Sequence, residues 1–157
     1  MADNETTWDK LLQIKTSGRD DSNSDQYRYP YEPTPYSVLE RLANSGLIRK
    51  KDVVLDYGCG KGRVEFLLSY QTKAHTMGVE YDERIFQGTL ENRKIAVSRE
   101  RTEFILARAE EYSVPSEAYI AYLMTVDELE FYDEIDCGDL FAGKDERERI
   151  MIFRVGN

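Results

Sequence analysis

Histidine occurs once, as His75, and cysteine twice, as Cys59 and Cys137. Two cysteines cannot build the disulfide framework of a small secreted domain. Neither they nor the histidine show the paired spacing of a metal site, so no metal is expected. A lone histidine opening a strand reads as structural rather than catalytic. Basic charge is also short: 21 lysines and arginines against 30 acids leave a net charge of −9. A nucleic-acid binder usually carries a basic face, so nucleic acid is not the expected partner. The one dense basic cluster, Arg49-Lys50-Lys51, reads as a solvated loop before a strand. No apolar run nears the roughly 20 residues that span a bilayer, which argues against a membrane partner. The start, Met1-Ala2-Asp3-Asn4-Glu5, has neither the basic flank nor the apolar core of a signal peptide, and a cytoplasmic location is expected.

What is present suits a folded domain. Apolar residues make up 41% of the 157, enough for one core. Residues 4–16 read as a short helix, with Trp8, Leu11, Leu12 and Ile14 apolar. A polar loop follows, so 1–26 is expected to form an N-terminal helix and loop, and 27–157 the main domain. Three of the four prolines, Pro30, Pro33 and Pro35, fall in one tyrosine-rich stretch and favour extended chain there. Thr34 is placed to cap a helix that starts at Pro35, carries Val38, Leu39 and Leu42, and ends near Gly46.

Strands are expected at about 52–57, 75–80 and 104–107. Helices are expected between them, one from Lys61 with Val64, Phe66, Leu67 and Leu68 apolar, and one over 83–98 with Ile85, Phe86, Leu90 and Ile95 facing inward. Strands alternating with helices imply a parallel α/β sheet. The segment 119–127 reads as a short helix or a loop. Leu129 to Cys137 and Arg147 to Val155 read as an antiparallel hairpin.

The chemistry concentrates at Asp56-Tyr57-Gly58-Cys59-Gly60-Lys61-Gly62-Arg63. An apolar strand ends in an acid, then turns through alternate glycines into a helix. Glycine tolerates positive φ and lets backbone approach a ligand. The helix start suits a carboxylate or phosphate. Glu80, ending the second strand, is placed to accept both hydroxyls of a ribose. A phosphate loop would need G-x-x-x-x-G-K-[ST], which is absent. A dinucleotide fingerprint would need a glycine where Arg63 stands, and Asp56 would repel a pyrophosphate. An acid there suits a ligand with an amine, and S-adenosylmethionine carries an amine, a carboxylate and a ribose.

On these residues the chain resembles the Rossmann-like (class I) S-adenosylmethionine-dependent methyltransferases. The likeness runs over about 30–115 and rests on Asp56 to Gly62, on Glu80, and on Ala109-Glu110-Glu111 after the third strand. It implies an α/β fold: a Rossmann-like, mostly parallel sheet with helices on both faces and a C-terminal antiparallel hairpin. It implies that Gly58, Cys59, Gly60 and Gly62 hold the methionine end of the cofactor and Asp56 its amine. Glu80 would bind the ribose, Tyr81 would flank the adenine, and Ala109 and Glu110 would lie near the adenine ring. Arg108 stands where many relatives have the aspartate that meets the adenine amine, so backbone groups or Glu110 would take that task. Thr34 and Tyr36 match a segment that closes over the cofactor in small methyltransferases. Equally, this stretch can be an aromatic cluster packed on the sheet.

The resemblance also marks an absence. Relatives carry a fourth and a fifth strand before the hairpin, the fourth ending in the stretch that faces the acceptor. Here Val114-Pro115-Ser116-Glu117-Ala118 passes directly to Tyr119-Ile120-Ala121-Tyr122. Strands four and five are therefore expected to be missing between Ala118 and Tyr119, a gap of roughly 35–50 residues, the length of one strand-helix-strand crossover. Strand one would then be an exposed edge. No catalytic residue follows from the sequence. The implied activity is methyl transfer from S-adenosylmethionine to a small molecule or a protein side chain. The alternatives are a non-catalytic S-adenosylmethionine-binding or regulatory protein and, disfavoured by Arg63 and Asp56, an NAD-dependent oxidoreductase.

Overall fold

In a computed structural model, residues 3–18, 32–108, 111–112, 118–120, 129–140 and 149–155 are described. Asp3 opens the first helix, α1 (Asn4–Leu12), by accepting the Thr6 N–H at 2.7 Å. The helix stops earlier than the apolar pattern suggests, because Gln13 turns left-handed at φ 60°. The chain beyond it runs on and buries Ile14 and Thr16, while Leu11 stays exposed. The second helix, α2 (Tyr36–Ala43), starts after Pro35, with Val38, Leu39 and Leu42 buried as the pattern requires. Thr34 does not cap it. Its first N–H, on Tyr36, is met at 3.1 Å by Glu5 of α1, which ties the two helices together.

Then come β1 (Val53–Tyr57), α3 (Arg63–Thr72), β2 (His75–Glu80), α4 (Glu83–Ile95) and β3 (Thr102–Leu106). The three strands pair in parallel, with β1 opposite β2 and β2 opposite β3. Asp82 caps α4 through the N–H groups of Arg84 and Ile85. Of the four residues expected to face inward on α4, Ile85 and Phe86 do so, whereas Ile95, the last residue of the helix, is 58% exposed. Both crossovers step the same way along the sheet. Right-handed connections therefore put α3 and α4 on one face, and α1 and α2 pack there too. One cluster joins Leu12 and Ile14, Leu39 and Leu42, Val54, and Phe66 to Leu68. Each fully buried side chain of this kind contributes roughly 1.5–3 kcal/mol.

The opposite face is built from Leu55, Tyr57 and Val79, backed by Val53, Met77, Ile105 and Tyr112. Helices were expected on both faces; among the described residues no helix residue joins this second cluster. The expected break between Ala118 and Tyr119 takes a different form. Ala118–Ile120 is a single short strand, β4, that runs through that junction and pairs in parallel with Val53 to Leu55 of β1. Beyond it, β5 (Leu129–Asp136) and β6 (Arg149–Val155) form the expected antiparallel hairpin, and β6 docks antiparallel on β4. The sheet order is β3-β2-β1-β4-β6-β5. One strand, rather than two or none, thus separates β1 from the hairpin. It removes the exposed edge that strand one would otherwise present. On the helical side, Arg41 of α2 grips both carboxylate oxygens of Asp139 and the Asp136 carbonyl, which joins the hairpin end to the helical layer.

Candidate functional site

Side chains alternate along a strand. Val54 and Asp56 of β1 therefore face the helices, opposite Thr76 and Gly78 of β2. At the C-terminal end of β1 the chain turns through Gly58, Gly60 and Gly62, at φ of 73°, 56° and 90°. All three are the left-handed values that favour glycine. The N–H groups of Gly58 and Cys59 both donate to the Val79 carbonyl, at 2.7 and 3.0 Å, so the turn is pinned over β2. Gly62 lies under two rings: a Cβ there would sit 2.8 Å from Phe66 Cε2 and 3.0 Å from Phe104 Cζ. A Cβ on Gly58 would meet nothing within 4 Å. That glycine borders open space where a ligand can approach the backbone.

Glu80 closes the other side. Its Oε1 accepts the Gly60 N–H at 3.3 Å and its Oε2 the Asp82 N–H at 2.9 Å. One carboxylate thus spans the glycine turn and the start of α4, at the ends of neighbouring parallel strands. Burial pushes its carboxyl up from the usual range, against the N–H donors of Asp82, Gly60 and Tyr81, which favour its charge. Thr89 of α4 donates to the Gly60 carbonyl, and the Asn92 amide to that of Lys61 at 3.0 Å. The turn is therefore braced from both β2 and α4.

Beneath it lies a group of acids. Asp56 is 4% exposed and Glu65, in the first turn of α3, is 1% exposed. Burial pushes Asp56 up to about 6, while a hydrogen bond from Glu65 lowers it and the Glu80 charge raises it. Glu65 is raised far more, by burial first and then by the charge and hydrogen bond of Asp56. Burial likewise keeps the Cys59 thiol protonated. Gly78 makes this packing possible: a Cβ there would lie 2.6 Å from Cys59 Cβ and 2.8 Å from Glu65 Oε1.

Arg63, which departs from the dinucleotide pattern, points the other way. It is 3% exposed and faces α1. Nε donates to Thr16 Oγ1 at 2.7 Å, Nη1 to Glu5 and to the Thr34 carbonyl, and Nη2 to Ser17 Oγ at 3.2 Å. Its guanidinium lies 4.1 Å over the Tyr36 ring. Tyr36 itself is wholly buried and donates its hydroxyl to Asp9, which also accepts from Thr16 and Ser17. Tyr36 and Thr34 thus belong to a polar hub behind the turn, the packing alternative for this stretch.

The sequence-predicted residues Asp56, Gly58, Cys59, Gly60, Gly62 and Glu80 come together at one end of the sheet. Tyr81 follows at the rim, 36% exposed. Leu106, opposite Glu80 in the register, adds an exposed apolar side chain there. Ala109 and Glu110 lie outside the described residues. Sequence reasoning missed Glu65, Gly78 and Arg63 as parts of the assembly. The signal available was a charged residue at an otherwise apolar helix position, and a glycine inside a strand, which often marks close backbone approach. Among the described residues, no cluster of histidine, cysteine and acids could hold a metal, and no helix is long and apolar enough to cross a membrane.

No protein-family model matches the sequence, and no curated protein does. Solved structures do. An RNA methyltransferase from Salinibacter ruber, in complex with S-adenosyl-L-homocysteine, is 26% identical over 59% of this chain and 61% of its own, with a TM-score of 0.52. TYW2 from P. horikoshii, in complex with MeSAdo, is 14% identical, covers 96% of this chain and 81% of its own, and has a TM-score of 0.58. This chain therefore spans about three fifths of the length of the Salinibacter protein. It has the Rossmann-like α/β fold of the class I S-adenosylmethionine-dependent methyltransferases.

Proposed function

We propose that this protein binds S-adenosylmethionine at the glycine turn and transfers its methyl group to an acceptor. The observation that carries the reading is the Glu80 carboxylate reaching back to the Gly60 N–H. It puts a ribose-sized acceptor group beside a backbone cradle, at the position where parallel α/β sheets bind nucleotides. The residues fit the group: Gly58 leaves open space, and the acids beneath the turn suit a ligand that brings positive charge. Asp56 holds the amino group, directly or through water. Gly58, Cys59, Gly60 and Gly62 line the amino-acid tail, Glu80 holds the ribose, and Tyr81, Ala109 and Glu110 flank the adenine. Thr34 and Tyr36 act from behind, by fixing the start of α3 through Arg63.

A bound sulfonium donor supplies an already activated methyl group. The protein's part is then to align donor and acceptor and exclude water. The acceptor is a small molecule or a protein side chain, given the net charge of −9. Calorimetry with S-adenosylmethionine, S-adenosylhomocysteine and NADH tests the cofactor: the first two bind and NADH does not. Labelled S-adenosylmethionine incubated with a cell extract, then separated into RNA, protein and small molecules, tests turnover and acceptor class. Label in RNA, the acceptor class named for the Salinibacter neighbour, would overturn the acceptor reading. Binding without labelled product would leave a non-catalytic binding protein.

A further inference from the structure

Glu65 is a buried carboxyl with no ordinary reason to be there. Both its oxygens are sealed from solvent, and among the described residues no N–H or hydroxyl donates to either. The group it reaches is the Asp56 carboxyl, and two carboxyls bond only by sharing a proton. Gly78, opposite Asp56 in the register, leaves the room into which Glu65 and Cys59 press.

Among the described residues, no cation faces Glu65. Besides Asp56 on β1, the ionisable groups that press on Glu65 are the Cys59 thiol on the turn and Glu80 at the end of β2. Arg63, the cation on the same turn of α3, is turned toward Glu5, Thr16 and Thr34. Asp82 is spent on capping α4. His75 and its partner Glu103 are exposed at the opposite end of β2 and β3. Among the described residues, three carboxyls of at most 6% exposure thus gather around a place with no positive charge. Burial without a partner drives such groups to stay protonated.

We propose that in mildly acidic solution Asp56 and Glu65 each hold a proton when no ligand is bound, and that an ammonium group docking at Asp56 displaces the Asp56 proton while Glu65 keeps its own, so that cofactor uptake releases one proton. Resting on the cofactor reading above, this makes Glu65 a positioning residue: it acts through Asp56 and tunes affinity to pH. The proton leaves to the buffer, and the ammonium then balances the negative charge left on the pair. The carboxyl of Asp56, pushed up to about 6 by burial, agrees with a proton held in mildly acidic solution.

Calorimetric titration with S-adenosylhomocysteine in buffers of different ionisation heat counts the protons. About half a proton should be released at pH 6 and almost none at pH 8, with affinity about tenfold lower at pH 5 than at pH 7.5. Glu65→Gln keeps a neutral donor to Asp56 and should preserve both the release and the pH slope, whereas Glu65→Met removes the donor, so Asp56 should keep its proton to higher pH and the release should persist at pH 8. Methylthioadenosine, which keeps the ribose and lacks the ammonium, should bind without release; this separates the carboxyl pair from any titration of Glu80. Release by methylthioadenosine, loss of the release in Glu65→Gln, an unshifted pH profile in Glu65→Met, or pH-independent binding by the unmodified protein would overturn the inference. Were Glu65→Gln to misfold, the comparison of the two ligands on the unmodified protein decides alone. Failure of every adenosine ligand to bind at pH 8 would overturn the cofactor reading as well, whereas binding without release refutes only the proton exchange.

Discussion

Arg63→Ala should unfasten the N-terminal helix from the glycine turn, and the structure allows the loss to be sized. The guanidinium donates to Thr16, Glu5, Ser17 and the Thr34 carbonyl, and stacks over Tyr36. Removing one partner of a fully buried ion pair costs roughly 3–5 kcal/mol. Here Glu5 is 36% exposed and can recover water, so its share is discounted for solvent screening. Thr16 and Ser17 keep their bonds to Asp9, and only the Thr34 carbonyl and the Tyr36 face are left bare. A cation over an aromatic face adds about 1 kcal/mol. The expected loss is about 3 kcal/mol, at the lower end of the buried range. For a chain of this size that lowers the melting temperature by roughly 6–12 °C. Urea unfolding followed by circular dichroism measures it. Arg63→Lys keeps the charge without the planar fork and should recover less than half. A loss under about 1 kcal/mol in Arg63→Ala would show that the hub is not what joins α1 to the turn.

Three further outcomes follow from the same geometry. Gly62→Ala forces a Cβ into Phe66 and Phe104 at a left-handed φ of 90° and should destabilise by roughly 2–4 kcal/mol, read by thermal melting. Glu80→Ala removes charged hydrogen bonds to the ligand's sugar and should weaken S-adenosylhomocysteine binding by about 1.5–3 kcal/mol, roughly 10- to 150-fold in Kd; unchanged affinity would remove Glu80 from the site. The ligand-free protein should lose stability as pH rises. Asp56 stands near 6 in the fold against 3.8 as its ordinary value, so the folded chain holds the extra proton. That contribution is complete below about pH 4 and is lost as pH climbs through 6. Asp9 works in the opposite sense: burial would raise it, but hydrogen bonds from Thr16, Tyr36 and Ser17 together hold it low, so its contribution fades only in acid. Melting temperatures should therefore fall from pH 5.5 to 7.5; Glu65, raised further still by burial, adds to the fall, and Glu65→Met, which removes that acid at similar volume, should reduce it.

Local periodicity carried most of the fold. The strands at 53–57 and 75–80, the helix with Phe66 to Leu68 buried, and the C-terminal hairpin all lie within a few residues of where the apolar pattern placed them. Helix ends were less legible. α1 stops at Leu12 because Gln13 takes a left-handed turn, and α2 is capped by Glu5 from another helix instead of Thr34. Such endings depend on contacts across the fold that composition does not encode. The strand through Ala118 to Ile120 was missed for a similar reason: three residues show no period, and their pairing with β1 is decided by the sheet.

The sequence alone determined the glycine turn, its leading acid and the carboxylate some twenty residues on, because each is dictated by backbone conformation or by strand ends within one βαβ unit. Only the tertiary structure decided what the charged residues around that turn do. Arg63 and Glu65 are two positions apart on one helix, and a helix sends such neighbours to different sides. One therefore meets Glu5 and Tyr36 of the N-terminal layer, and the other meets Asp56 beneath the sheet's end. Which charge finds a partner, and which is left waiting for one, is settled by what folds against each side.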